Sequence, residues 1–453
     1  MDDVISALTE FCGNARSGQL PPGIVDAVTA RLVDSIGCAV GGGACEAARI
    51  GRRLAPVVQE ARNGQLTARS LGAAERTTTL QHAGFVNSVM IRYLDFNDTY
   101  PGGHPSDSLG PVIALADALG SSGAELIAAV AVGYDIFIKL ASAAKLRERG
   151  WDQGFGIGLA TAAAASMLLG LDEERTWHAL SISAVSNVPL RATRAGQLSL
   201  WKGAATSYAA ANALFGTLLA AEGMTGPEAP VTGRHGLQEL VSGAFQLPPF
   251  GPASFVTRQA RIKYWPVEYN LQAAVWAGIE FRRAFGPAAL ESVDISTYWS
   301  AWHETGSEAA KWDPRTRETA DHSMPYVFIK SFQAGALEVS AFEPGEYLDT
   351  AVRTEMRKVS VKVDDELEAQ FPDRVVMRVT ARTTDGRQHS AEIVNPRGHE
   401  DNPVTSEEVA AKFLRLTSPD YGEARARELL AAWSAIVGAP RVSDAVDLLA
   451  RQD

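Results

Sequence analysis

Between Leu94 and Asp107 the chain reads LDFNDTYPGGHPSD, with three aspartates, an asparagine, a threonine and a histidine in fourteen residues. The Pro-Gly-Gly break forbids one continuous helix, and a broken loop is where side chains can be aimed into a cleft. Asp95, Thr99 and His104 are the candidates it supplies. A histidine oriented by a carboxylate is an acid/base unit, because imidazole titrates near neutrality. The same residue types also suit a polar loop that caps helices.

Three further stretches carry chemistry. RATRAGQLSLWKGAA, from Arg191 to Ala205, offers Arg191, Arg194 and Lys202 around an apolar segment. Arginine binds carboxylates through its fork and lysine as a point charge; a solvated basic face is the alternative. IKYWPVEYNLQAA places Lys263 among Tyr264, Trp265 and Tyr269. That setting either desolvates the amine and lowers its pKa or lets it snorkel from a domain boundary. DPRTRETADHSMPYVFIK sets His322 and Tyr326, two proton carriers, ahead of an apolar helix that Asp321 or Ser323 can cap. There is no G-x-S-x-G and no Walker loop. The glycines of GFGIG follow no strand, and HETGSE lacks the second histidine of a zinc protease. Histidine spacing supports no metal cluster, and with neither a Walker loop nor a Rossmann fingerprint no cofactor is expected.

The elements that must position these groups are legible from periodicity. The chain has 453 residues, 46% of them apolar and 21% charged, which implies more than one domain. PPGIVDAVTARLVDSIGCAVGG, GAELIAAVAVGYDIFIKLASAA and WKGAATSYAAANALFGTLLAAEG read as helices, the second apolar nearly all round. FGIGLATAAAASMLLGL, from Phe155 to Leu171, is the most apolar run and reads as a buried helix. After MTGPEAPVTGRHG the pattern changes. LESVDISTYW and KVSVKV alternate as strands, and DRVVMRVTARTTDGRQHSAEIV is a hairpin turning at Asp385-Gly386. TSEEVAAKFLRLT returns to helix behind a capping box of Thr405/Ser406 and Glu408. The expectation is an α+β protein: a large all-helical domain, discontinuous, over 1–258 and 396–453, and a smaller α+β domain with an antiparallel hairpin over 259–395.

Net charge is −11 with a pI near 5.3. A field of that sign repels nucleic acid and anionic membranes, so neither is an expected partner, and a small anion needs a local cationic pocket. Cys12, Cys38 and Cys45 form no C-x-x-C pair and no disulfide framework, which fits a reduced cytoplasmic compartment. The acidic start MDDVISALTEFCG does not read as a secretory signal.

Taken in order, LDFNDTY…GHPSDSLGPVIALAD, GQLSLWKGAA, GMTGPEAPV, KYWPVEYNLQ and RETADHSMPYVFIK resemble the MmgE/PrpD family over nearly the whole chain. The resemblance implies a helical domain completed by C-terminal helices, a smaller α+β domain, an interdomain active site without metal, and usually a homodimer. It implies lyase chemistry on a small di- or tricarboxylate, foremost dehydration of the 2-methylcitrate type. Decarboxylation, epimerisation or isomerisation of a related dicarboxylate or amino-dicarboxylate are the alternatives, with a non-catalytic carboxylate-binding dimer as a different class. The family's active-site Asp, Thr and His correspond to Asp95, Thr99 and His104, its two lysines to Lys202 and Lys263, and a tyrosine to Tyr326. Gln153 stands where the family carries a further histidine, which removes one proton donor. On this reading His104 held by Asp95 is the leading acid/base, and His322 or Tyr326 serves the opposite face. Lys263, Lys202 and Arg194 neutralise the substrate's carboxylates, with Thr99 and Gln153 beside them.

Overall fold

The computed structural model describes residues 2–17, 19–58, 66–251 and 254–451. Helices dominate the first half: α1 (Ile24–Gly41), α2 (Leu80–Arg92), α3 (Leu109–Leu119), α4 (Gly123–Ala143), α5 (Gly154–Leu168), α6 (Glu173–Ser186) and α7 (Trp201–Ala221). Their starts are chemically marked. Thr79 caps α2, Asp172 caps α6, and α4 opens on a reciprocal Ser122/Glu125 capping box. Among the described residues no strand interrupts this half. Helix α2 packs against α3 and α7, and α5 against α4 and α7. The α2/α3 approach needs glycine: a Cβ on Gly110 would lie 2.3 Å from the Ser88 amide nitrogen.

Helix α4 is long and apolar enough to cross a membrane, but 78% of its most apolar window is buried inside the fold. It is apolar all round because other helices surround it, as its composition suggests. Helix α5, the counterpart of the Phe155–Leu171 run, is buried along almost its whole length.

The second half is α+β. Helix α8 (Gln272–Phe285) precedes β1 (Leu290–Thr297); α9 (Met324–Ala334) precedes β2 (Val359–Val363), and the hairpin β3 (Val376–Thr383)–β4 (Gln388–Val394) follows. The sheet order is β2-β1-β3-β4, with β1 parallel to β2 and antiparallel to β3. Register pairs Ile295 with Val379, and Val379 with Ala391. That keeps β-branched side chains of β1 and β3 on one buried face under α8 and α9, where Phe281, Phe328 and Met377 join the same apolar cluster. Helix α10 (Ser406–Ser434) starts at the Thr405/Glu408 capping box and kinks at Gly422, whose φ is 74°.

Two large apolar clusters result. One draws on residues from Ile5 to Ile262 and again from Val409 to Leu449. The other runs from Trp265 to Ala381. Helix α10 therefore returns to the helical lobe, packing against α1.

Candidate active site

A cavity enclosing about 850 Å³, mouth included, opens between the lobes. One wall is the 99–104 loop with Asp152 and Gln153. The other is Glu268, Tyr269, Asn270, Glu304 and His322. The loop's turn closes with paired hydrogen bonds between Tyr100 and Gly103, 2.8 Å each way. A two-residue bridge then ties it to the lobe junction: the Thr99 amide donates to the Arg261 carbonyl at 2.8 Å, and the Arg261 amide donates back to the Thr99 carbonyl at 2.6 Å. Gly103 packs directly on Gln153: a Cβ there would sit 1.7 Å from Gln153 Oε1, so a larger residue would displace that side chain.

Asp95 is fully buried and left-handed, with φ 49°. Its Oδ1 accepts from Arg92 at 2.7 Å and Lys263 at 2.5 Å; its Oδ2 accepts from Lys202 at 3.0 Å. Burial opposes its ionisation, but Arg92, Lys202 and Lys263 outweigh burial and hold the carboxyl well below the usual range. Asp95 thus favours its anionic form and gathers three cations around it.

His104 is consequently oriented differently from the sequence expectation. Its Nδ1 lies 2.7 Å from the Asp98 carbonyl oxygen, which only accepts, so Nδ1 carries the proton and Nε2 is the basic nitrogen. Asp95 Oδ1 is 3.9 Å from that Nε2 and already committed elsewhere. The histidine that does hold a carboxylate is His322. Its Nδ1 lies 2.6 Å from Asp321 Oδ1, leaving Nε2 as the nitrogen available to the cavity. Burial, reinforced by Lys202, lowers the His322 pKa to about 4. Burial with Arg92 and Lys263 depresses that of His104. Both imidazoles are neutral bases at ordinary pH.

Lys202 and Lys263, expected to meet substrate carboxylates, do not line the cavity. Lys202 bridges Asp95 and Asp321 at 3.0 Å each, and Lys263 also donates to the Asp95 carbonyl at 2.9 Å. They are buried counter-ions, because two buried carboxylates side by side require them. Tyr326 is not brought to the cavity either. Its hydroxyl donates to the Ala341 carbonyl inside the smaller lobe's core, and burial pushes its pKa up. Ser323 caps α9, as its type suggests, whereas Asp321 serves Lys202 and His322.

The cations that face the cavity are arginines: Arg92, Arg147, Arg191, Arg194 and Arg261. Arg147 and Arg191 share the single carboxylate of Glu304, so that wall keeps one positive charge in excess. Arg194 forks onto Asp152 at 3.2 and 3.1 Å. Arg261 pairs with Glu400 at 3.0 Å and lies 5.2 Å over the Tyr269 ring. Thr99 and Gln153 also line the cavity; Gln153 Nε2 is 3.4 Å from Asp107 Oδ2. Arg147, Arg261, Glu268 and Glu304 escaped the sequence reading. Glu268 carried a usable signal, since it stands in the same aromatic stretch that singled out Lys263.

Among the described residues one donor set suits a metal ion: Asp95, Asp321 and His322, whose ligand atoms lie within 4.8 Å of one another. The Lys202 ammonium, 3.0 Å from both carboxylates, already supplies the counter-charge at that spot.

A helical lobe and an α+β lobe closing on paired imidazoles and an arginine-lined cleft define an acid/base enzyme for small anions. The MmgE/PrpD N-terminal domain matches residues 6–249 and the MmgE/PrpD C-terminal domain residues 265–435, so the chain belongs to the MmgE/PrpD family. It is similar to the alkylcitrate dehydratase phiI of Fungal sp., 29% identical over 85% of this chain and 82% of the relative. The 2-methylcitrate dehydratase of Escherichia coli K12 is 28% identical over 70% of this chain and 71% of its own length. The cis-aconitate decarboxylase-like protein oryM of Aspergillus oryzae is 24% identical, over 75% and 76%.

Proposed function

We propose that the chain is a hydro-lyase of the 2-methylcitrate dehydratase type, eliminating water from a small di- or tricarboxylate. The observation that carries this reading is the pair of neutral imidazoles, each with Nδ1–H committed and Nε2 unprotonated, beside an arginine-lined cavity. Arg147, Arg191, Arg194 and Arg261 hold the substrate carboxylates and stabilise the charge that develops when the adjacent proton leaves. His322, oriented by Asp321, is the first choice of base, and His104 is its partner across the loop. Asp95, Lys202 and Lys263 keep this constellation in register and set its electrostatics, and Thr99 ties the loop to Arg261. The protein's own side chains carry the proton transfers. Names of relatives that include dehydratases of alkylcitrate and 2-methylcitrate support the substrate class.

Two neutral bases also suit epimerisation, in which one base removes a proton and the other returns it to the opposite face. Citrate, 2-methylcitrate, aconitate and amino-dicarboxylates incubated in D₂O and followed by proton NMR separate the readings. Loss of water is expected. Loss of CO₂, or deuterium exchange without net change, overturns dehydration in favour of decarboxylation or epimerisation.

We place the lobe boundaries near 258/259 and 395/396; the two apolar clusters support a two-lobe division, although the first keeps Ala260 and Ile262 and so passes to the second only before Trp265. A homodimer is the proposed assembly. Trp201, Tyr208 and Phe215 recur every seven residues on one face of α7 and are 47%, 53% and 46% exposed, an aromatic stripe suited to a second copy. A reducing cytoplasmic setting accords with three buried free cysteines.

A further inference from the structure

We propose that Glu268 is the general acid that protonates the departing hydroxyl, a role that rests on the dehydratase reading. Glu268 lines the cavity on the same wall as His322, and the two are mechanically linked: the Glu268 amide donates to the Asp321 carbonyl at 3.0 Å. Its carboxyl is aimed by one clamp. Oε2 accepts from the Asn270 amide at 2.7 Å and Oε1 from Asn270 Nδ2 at 2.9 Å, while Asn270 Oδ1 is held by the Tyr298 hydroxyl at 2.6 Å. A second lone pair on each oxygen stays open for a proton or a substrate hydroxyl.

The charged surroundings are mixed. Lys263 and Arg147 favour the carboxylate, as do the two Asn270 donors, and Glu304 and Asp95 oppose it. Burial outweighs the favourable groups and raises the Glu268 pKa to about 7, where a carboxylic acid can give up a proton near neutrality. No other cavity-facing group among the described residues has this property. Both imidazoles are depressed, and burial lifts the Tyr269 hydroxyl to about 12.

The step balances with groups on hand. His322 Nε2 takes the proton on the carbon adjacent to a carboxylate; the C–H electron pair becomes the new double bond. The C–O bond breaks, and the hydroxyl leaves as water with the Glu268 proton. The enzyme is left with imidazolium and carboxylate, and proton exchange through solvent restores the starting forms.

The test compares hydroxyl elimination with fluoride elimination from the analogue carrying fluorine in place of that hydroxyl, because fluoride departs without a full proton transfer. Glu268→Gln keeps the size and the Asn270 contact. It should lose roughly 10²–10⁴-fold in kcat on the hydroxy acid and less than about tenfold on the fluoro acid. Equal losses on both, or no loss on the hydroxy acid, overturn the proposal. Infrared difference spectra read the residue without turnover. A carboxylic-acid band at about pH 6 that vanishes in Glu268→Gln is expected. Its absence overturns the acid role and leaves the lyase reading standing. Wild-type enzyme that eliminates neither group overturns the lyase reading and the leaving-group role with it.

Discussion

At the scale of single residues, the site is organised by which groups are prevented from titrating. Asp95 stays ionised because three cations outweigh its burial, whereas His322 stays neutral because burial and Lys202 outweigh its carboxylate partners. The folded-state pKa of His322, about 4, lies below the ordinary 6.5. Protonation therefore favours the unfolded chain, and this residue's contribution to stability is full above pH 6.5 and is lost as pH falls toward 4. The base itself stays mostly unprotonated until the pH nears 4. The C2–H resonance of His322, assigned by its disappearance in His322→Asn, should titrate with a midpoint about 4. A midpoint near 6.5 would show that the imidazole is solvated and remove the reason for its staying unprotonated below neutrality.

At the scale of elements, the site depends on a helix that never touches it. Lys412 on α10 donates to the Phe96 carbonyl at 2.6 Å and the Lys263 carbonyl at 3.0 Å, and pairs with Asp34 of α1 at 2.6 Å. One buried ammonium thus joins the polar loop, the lobe junction and two helices. Lys412→Met keeps the volume but strands Asp34, and should destabilise the fold by about 3–5 kcal/mol in denaturant unfolding. Asp34 already has its carboxyl raised to about 6 by burial despite Lys412. Without the lysine its folded pKa climbs further above 3.8, so the loss grows as pH rises and is larger at about pH 8 than at about pH 5. Adding Asp34→Asn should recover part of the loss, and strict additivity would deny the coupling.

The same pairing shows what a sequence can and cannot disclose. The Asp385-Gly386 hairpin and the Thr405/Glu408 cap were legible because turn and cap chemistry are local. The loop at 94–107 stood out by its ionisable groups beside Pro-Gly-Gly, and Asp95, Thr99 and His104 do line the cavity. Partner choice was not. Nothing near Lys202 or Lys263 in the chain says that Asp95, 107 and 168 positions away, will claim both. Arg147 and Arg261 reach the cavity only through folding, and Tyr326 could not be told from a core tyrosine by type.

At the scale of the molecule, charge and shape pull in opposite directions. The chain carries −11, so two copies repel at long range, yet α7 presents aromatic surface that water does not favour leaving exposed. Contact along that stripe would set the ring pair Trp201–Tyr208, 5.7 Å apart, against its symmetry mate at the end of α7 that carries Lys202. The apolar contribution is insensitive to salt, whereas repulsion is screened over about 10 Å at 0.1 M ionic strength. Dimerisation should therefore strengthen with added salt, the reverse of an interface held by ion pairs. Sedimentation equilibrium should give twice the chain mass of 48.3 kDa, and Trp201→Asp with Phe215→Asp should return it to 48.3 kDa by placing charge on the stripe. A variant that stays dimeric would move the interface off α7; a dimer that dissociates with salt would show that charge, not the aromatic stripe, holds it.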